Sequence, residues 1–421
     1  MRLLLDQTRC VGHGRCYELA SGLFGEDDRG HCVLLASEAD CDDEGARKAI
    51  ANCPEGAISM AQDGHAEADT WDLFCDRLKE AGKVISEARA PGDELTRAEG
   101  YRYLSRLTRL ALEKHLEHAD PAAPTFYSLS HETAKIGCDN PDSFYQNAVL
   151  DGQFEYRVSG TRGTAAYLGI GAYYGNYGSD APSGCSGYLE GAQLELDEQG
   201  GFELLLGGEK KPGNWIALRP DSSMLIVRQV FLDRVNEAAG NLAIERTGGN
   251  SPRMLDITAL EDGLDAAAAF VKGTAVMFAE WAEEFERCPG ELIAMDSART
   301  AGAHGDPNIS FYMGAWQLEE GEALLVELVA PPCLYWNFQL NNHWMESLDY
   351  RWQRIHVNSH DAVEDSDGVV RIVISPSDPG LPNYLHTSGH GHGTMGLRCI
   401  KGRAPFSIQT KRCRISELGG V

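Results

Sequence analysis

Positive charge is what this sequence has least of: 37 Lys and Arg stand against 63 Asp and Glu, a formal net charge of −26 over 421 residues. Nucleic acids are held by cationic surfaces that displace counterions from phosphates, so no nucleic-acid partner is expected. Long apolar runs are missing too. No stretch approaches the ~18 uninterrupted apolar residues of a membrane helix. Met1–Leu5 is apolar only briefly before Asp6 and Arg9, too short for the apolar core of a signal peptide. A soluble, cytoplasmic chain with no membrane contact is the expectation. Nucleotide and hydrolase signatures are also absent: there is no Walker A loop and no nucleophile elbow, and the paired glycines of Leu168-Gly169-Ile170-Gly171-Ala172 read as strand interior.

What is present fits a globular protein of two or three domains, with 43% hydrophobic and 24% charged residues. Internal repeats and low-complexity tracts are lacking. Residues 1–64 hold six Lys/Arg against twelve Asp/Glu, an acidity that serves solubility and equally serves brief docking on a basic face. Only the last stretch is locally basic, with Arg398, Lys401, Arg403, Lys411, Arg412 and Arg414.

Twelve cysteines in a cytosolic chain argue against a disulfide scaffold. Five fall within the first 53 residues; the other seven are scattered singly, as buried thiols are. The crowded end reads Cys10-Val-Gly-His13-Gly-Arg-Cys16, then Cys53-Pro54. Bacterial clusters use C-x2-C-x2-C-x3-C-P, thiolates from one loop around an iron–sulfur core. Here the second position is His13 and the closing Cys-Pro is displaced. Gly12 and Gly14 supply the unusual backbone angles of a loop that wraps a cluster. Leu3–Leu5 reads as a strand, Tyr17–Leu23 as a helix, Gly30–Leu35 as a strand, Asp42–Asn52 as a helix and Ala57–Met60 as a strand. Cys32 and Cys41 read as structural. A zinc shell of Cys10, His13, Cys16 and Cys53 is the competing reading, made poorer by Pro54 and the element order.

These residues resemble the single-cluster ferredoxins of actinobacteria that serve cytochrome P450 enzymes, in which C-x5-C…C-P holds the cluster. The resemblance implies cofactor and metal ligation by Cys10, Cys16 and Cys53. It leaves open a [3Fe–4S] cluster or, with His13 as fourth ligand, a [4Fe–4S] cluster. Ligation by a neutral imidazole should raise the potential relative to four thiolates.

The polar stretch 61–70 reads as a linker. Trp71, Phe74, Leu78 and Ile85 then recur at helical spacing, and after Pro91-Gly92 an Asp93-capped helix runs to about His118 with Leu104, Leu107, Leu110 and Leu112 on its buried side. Beyond Pro124, alternating segments with glycine turns predict strands over 156–174, 188–206, 215–232, 309–318, 323–329, 334–340 and 369–374, with a helical insert over 260–286. The expected fold class is α+β and multidomain. A small ferredoxin-like iron–sulfur domain (1–62) precedes a linker and helical segment (63–123) and a large antiparallel β-rich sandwich domain with a helical insert (124–421).

Several pieces of the large region resemble the bacterial family named for domain of unknown function 1214 (DUF1214). They are Asn140-Pro-Asp142…Tyr145, Tyr156-Arg157, Asn214-Trp215…Arg228-Gln229, Tyr335–Tyr350, and Asp378–Tyr384 running into Ser388-Gly-His390. That resemblance implies a β-rich sandwich and no settled activity. Asn342, His390, Arg228 and Asp142 are the catalytic candidates, and His386, His390 and His392 have spacing that could bind metal. The leading expectation is an electron-transfer protein working between a ferredoxin reductase and an oxidase such as cytochrome P450. The alternatives are a self-contained redox enzyme with a substrate pocket near His390, Asn342 and Arg228, and a module that binds a small-molecule ligand or assembles a complex without chemistry.

Overall fold

By contact, the chain divides into the units Met1–Cys75 and Asp76–Val421. The structure is a computed structural model that describes residues 2–37, 39, 43–61, 70–86, 92–177 and 181–420. Most of the expected linker, together with Cys41 and Pro91, lies outside the described residues.

In the first unit, β1 (Arg2–Leu5) leads through a loop into α1 (Arg15–Leu19), then come β2 (Phe24–Glu26), β3 (Cys32–Leu34), α2 (Glu44–Ala51) and β4 (Ile58–Ala61). β1 pairs antiparallel with β4, Leu3 opposite Met60, and β2 pairs with β3 as a hairpin. α1 is shorter than its sequence suggests, because Ala20 leaves the helical region at φ −145° and Phe24 begins a strand. α2 starts where the Asp43 carboxylate accepts from the Ala46 amide. The core is small: Leu3, Phe24, Cys32, Ala46, Ala49 and Ile58.

α3 (Thr70–Ser86) contains the division between the units, and α4 (Glu94–Leu112) follows it. Asp93 caps α4 as expected, accepting from the Thr96 amide, and Tyr103, Leu107 and Leu110 are its buried stripe. Gly100 faces Trp344 so closely that a Cβ would sit 2.7 Å from the indole ring.

The β-rich region is two sandwiches in tandem. β5 (Ser143–Val149), β6 (Tyr156–Thr161), β7 (Tyr167–Tyr174), β8 (Gly184–Glu190), β9 (Gly201–Leu206), β10 (Trp215–Ile216), β11 (Ser222–Val230) and β12 (Leu242–Arg246) form sheets of order β10-β9-β6-β12 and β5-β11-β7-β8. Val158, Ile170, Leu204 and Val227 lie in the core they share. Helix α5 (Ile257–Phe285) comes next, capped by Asp256. β13 (Leu292–Ala294), the short α6 (Ser297–Gly302), β14 (Ile309–Gln317), β15 (Glu322–Val329), β16 (Tyr335–Asn341), β17 (His356–Asn358), β18 (Val370–Ser375), β19 (Tyr384–His386), β20 (His392–Ile400) and β21 (Ser407–Arg414) follow. Their sheets run β13-β14-β20-β16-β17 and β19-β18-β15-β21 around Trp316, Val326, Phe338, Ile372 and Leu397. Pairing is antiparallel except at two short edges, β10 with β9 and β18 with β19. Tyr167, Val230, Tyr335 and Ile400 form a smaller cluster joining strands of both sandwiches. The α+β, multidomain expectation holds, with one large sandwich replaced by two, because each sheet pair closes its own core. Among the described residues, no helix is long and apolar enough to cross a membrane.

Candidate functional site

In the first unit, the loop after β1 brings Cys10 and His13 to the start of α1, where Cys16 is the second residue. Cys53 follows the last turn of α2. Cys10, His13, Cys16, Cys32 and Cys53 line one cavity of about 360 Å³, part of it open to solvent. The loop turns on two glycines at φ 80°, Gly12 and Gly14, and a Cβ on Gly12 would meet the Gly30 carbonyl oxygen at 2.9 Å.

Backbone amides face the sulfurs. Cys32 N–H donates to Cys10 Sγ at 3.4 Å and Ala57 N–H to Cys53 Sγ at 3.3 Å. Amides directed at thiolates are the outer contacts that hold and tune an iron–sulfur cluster. The thiols of Cys10, Cys16 and Cys53 border this cavity, two of them with amides aimed at their sulfurs. The donor set therefore fits the group. His13 is half exposed, its Nε2 3.3 Å from Glu55 Oε1. Cys32, read from the sequence as structural, is buried in the core of this unit and also lines the cavity. Burial, with hydrogen bonding to Cys16, pushes its thiol up.

In the second unit, the four candidates fall in three places. His390 and Asn342 share one buried network. His390 Nε2 lies 2.8 Å from Glu99 Oε2 and Nδ1 2.9 Å from the Thr387 carbonyl, while Asn342 Nδ2 donates to Glu346, which Arg106 pairs. Burial opposes a charged His390, but two oxygen acceptors outweigh it and raise its pKa. His386 and His392 turn to other partners: the Ser388 amide donates to His386 Nδ1, and His392 Nε2 meets Asp93. The three histidines do not converge.

Asp142 sits in a second network. It accepts from Tyr335 at 2.7 Å and Asn358 at 3.0 Å and pairs with His356 at 3.1 Å. Burial resists its ionisation, yet these three partners hold its carboxyl below the usual range. Asn140 links this network to a cavity, donating to the Tyr335 hydroxyl while its own amide donates to the Tyr145 hydroxyl.

Arg228 lies in that cavity, which has about 910 Å³ of empty space, part of it continuous with solvent. It opens among β5, β11, β14 and α5, with Ile226, Phe278, Trp281 and Met313 on its apolar side. Arg228 donates to the Tyr173 hydroxyl at 2.9 Å and to the His304 carbonyl. Arg398 reaches the same cavity from β20, bonding Asn337, Gln339 and the Cys138 carbonyl. Arg398, Cys138 and His304 were not legible as site residues. The one available signal was an arginine inside the apolar run Met395–Ile400.

Residues 3–60 match the family model described as a 4Fe-4S single cluster domain. Over 65 residues the chain is 42% identical to "Ferredoxin-1" of Streptomyces griseolus, which is 15% of this chain and 94% of that protein. It is 35% identical over 60 residues to the "Ferredoxin" of Thermococcus litoralis, 14% of this chain and 98% of that one. Among solved structures, a putative uncharacterized protein from Burkholderia cenocepacia is 46% identical with a TM-score of 0.81, covering 83% of this chain and 97% of its own. That share far exceeds what residues 3–60 could supply. The chain thus belongs, through residues 3–60, to the single-cluster ferredoxins, and through most of its length to the family of the uncharacterised Burkholderia protein.

Proposed function

We propose that this chain is an electron-transfer protein in which Cys10, Cys16 and Cys53 hold the cluster and His13 supplies the fourth ligand of a [4Fe–4S] core. When bound, such a cluster supplies one-electron chemistry. The observation that carries the reading is the shared cavity of the three thiols and His13, with two amides donating to its sulfurs. Glu55 supports His13 as a ligand, because metal-bound imidazoles commonly donate their second N–H to a carboxylate. The partners are a ferredoxin reductase on the donor side and an oxidase such as cytochrome P450 on the acceptor side. The acidic first unit would meet basic docking faces. Covalent linkage keeps the two units at high effective concentration, so the second unit is taken to receive the partner or its substrate. We also take that unit, on its motifs, as a member of the DUF1214 family.

A second reading is favoured by the cavity around Arg228: a self-contained redox enzyme whose substrate sits in the second unit. Anaerobic purification followed by iron, sulfide and zinc analysis tests the cofactor, and zinc alone would sink the reading. Reduced protein is then mixed with candidate substrates, with and without an added cytochrome P450. Turnover that needs the oxidase supports the shuttle; turnover without it moves the conclusion to the enzyme.

A further inference from the structure

The cavity of the second unit carries two guanidiniums and no carboxylate within ion-pair distance of either among the described residues. Arg398 is buried and satisfied by neutral acceptors: Asn337, Gln339 and the Cys138 carbonyl. Arg228 is partly buried and uses Nη1 for Tyr173 and Nη2 for His304, also neutral. The charges of Asp306 and Asp139 act on Arg228 and Arg398 respectively, but neither carboxylate bonds its arginine. Asp306 accepts from Tyr167, Tyr188 and the Asn308 amide, and Asp139 accepts from Ser347 through both its amide and its hydroxyl. Buried cations are ordinarily paired, because an uncompensated charge is costly away from water.

The surroundings are built around these two cations. Cys138 and His304 both hold left-handed backbone angles, φ 61° and 54°, uncommon for residues with a Cβ. Each turns its carbonyl oxygen onto one of the arginines. His304 is 1% exposed and its Nδ1 has no hydrogen-bond partner, while Nε2 lies 3.1 Å from the Tyr174 carbonyl. Burial holds the ring down to about 4, so it is neutral at pH 7. Nε2 then carries the hydrogen for Tyr174, and Nδ1 is left as an unpaired acceptor that adds no negative charge beside the arginines. Ile226, Phe278, Trp281 and Met313 line the same cavity. Two arginines without a bonded carboxylate, together with these apolar and aromatic side chains, define the complement.

We propose that this cavity binds a small organic monocarboxylate with an apolar, ring-sized body, its carboxylate held by Arg228 and its body against Phe278 and Trp281. Arg228 is the anchor, because Arg398 is nearly saturated by its internal bonds. The proposal does not depend on the cluster, so its failure leaves the electron-transfer reading untouched.

The test is calorimetric titration of the full chain with phenylacetate, phenylacetamide and inorganic phosphate. Phenylacetate is expected to bind and raise the melting temperature of the second unit; the neutral amide and phosphate are not. Arg228→Met should weaken phenylacetate binding about tenfold or more, the loss expected for a charge-assisted hydrogen bond. Ile226→Phe keeps the charge and fills the space, so it should abolish binding while the protein stays folded, which decides the matter even if Arg228→Met does not fold. No binding of phenylacetate, equal binding of the amide, preference for phosphate, or wild-type affinity in Ile226→Phe would each overturn the proposal.

Discussion

The two units solve opposite problems with polar side chains. In the first, Cys10, Cys16 and Cys53 are only partly buried around a core as small as Leu3, Phe24, Cys32, Ala46, Ala49 and Ile58. A core of this size rarely stabilises a domain alone, and natural proteins of this length add metals or disulfides. In the second unit, the sandwiches close independent cores with Trp316, Phe338, Leu204 and Val227 fully buried, and buried polar groups such as Asn337, Gln339 and Arg398 alternate with core residues and face away from that core. The chemistry of the first unit lies near its surface, as transfer of an electron to a docked partner requires. The polar networks of the second lie deep, with Asp142, Glu346 and Arg398 all buried. One unit should depend on its cofactor for structure and the other should not.

The sharpest way to break that comparison is Cys53→Ser. It removes one of three thiols, so visible absorbance and bound iron and sulfide should be lost almost entirely, together with the unfolding transition of the first unit. The transition of the second unit should stay within about 0.5 kcal/mol of wild type, since the two sites share no partner. Loss of both transitions would show that the units are not separate folding entities. The converse variant is Asp142→Ala. It strands the Tyr335 hydroxyl, the Asn358 amide and the His356 ring, and should cost the second unit about 3 kcal/mol in denaturant unfolding with cluster absorbance unchanged.

The difference in depth also explains what could be read in advance. The ligand loop of the first unit is local chemistry: cysteine spacing, two glycines and Cys53-Pro54 place its elements without reference to anything distant. Alternating strands such as Gly201–Leu206 were legible for a similar reason, since Phe202, Leu204 and Leu206 are buried while the residues between them are not, and the period shows. β20 was not. Gly393–Ile400 is buried along its whole length, so there is no alternation to see, and the segment around His390 and His392 looked like a glycine-rich turn. For the same reason Arg398 was grouped with the basic surface of the last stretch, although Lys411 and Arg412 are exposed on β21 and Arg398 is buried. Its partner Cys138 is 260 residues away, and sequence spacing cannot join residues that only sheet packing brings together.

A smaller effect should separate the units by pH. His390 has its pKa raised above the usual 6.5 by Glu99, and Glu99 has its own lowered from 4.5. The histidine contribution is complete below 6.5 and disappears as pH rises through the raised folded value. The carboxylate contribution is present above 4.5 and disappears as pH falls through its lowered folded value. Between the two, the pair should contribute about 1 kcal/mol to the second unit. Melting of wild type and His390→Gln from about pH 5 to about pH 9 should show a gap that closes on the alkaline side. A gap that widens there would mean the imidazole is neutral throughout.

The smallest expected change is the most informative about the first unit. His13 is half exposed beside Glu55, so replacing it should leave three thiols and most of the binding intact and alter only the kind of cluster and its potential. With His13→Ala, the fourth iron loses its protein ligand and [3Fe–4S] should accumulate. Oxidised, three ferric ions have an odd electron count and give a paramagnetic resonance signal, whereas the oxidised four-iron core is even and silent. With His13→Cys, four thiolates surround the core and the potential should fall below wild type, because an anionic ligand replaces a neutral one. Glu55→Gln should move the potential least, since it alters only the hydrogen bond behind the imidazole. If wild type and His13→Ala give the same oxidised signal and the same potential, His13 is not a ligand. The cluster is then held by Cys10, Cys16 and Cys53 alone, and the His13–Glu55 pair is only a surface contact.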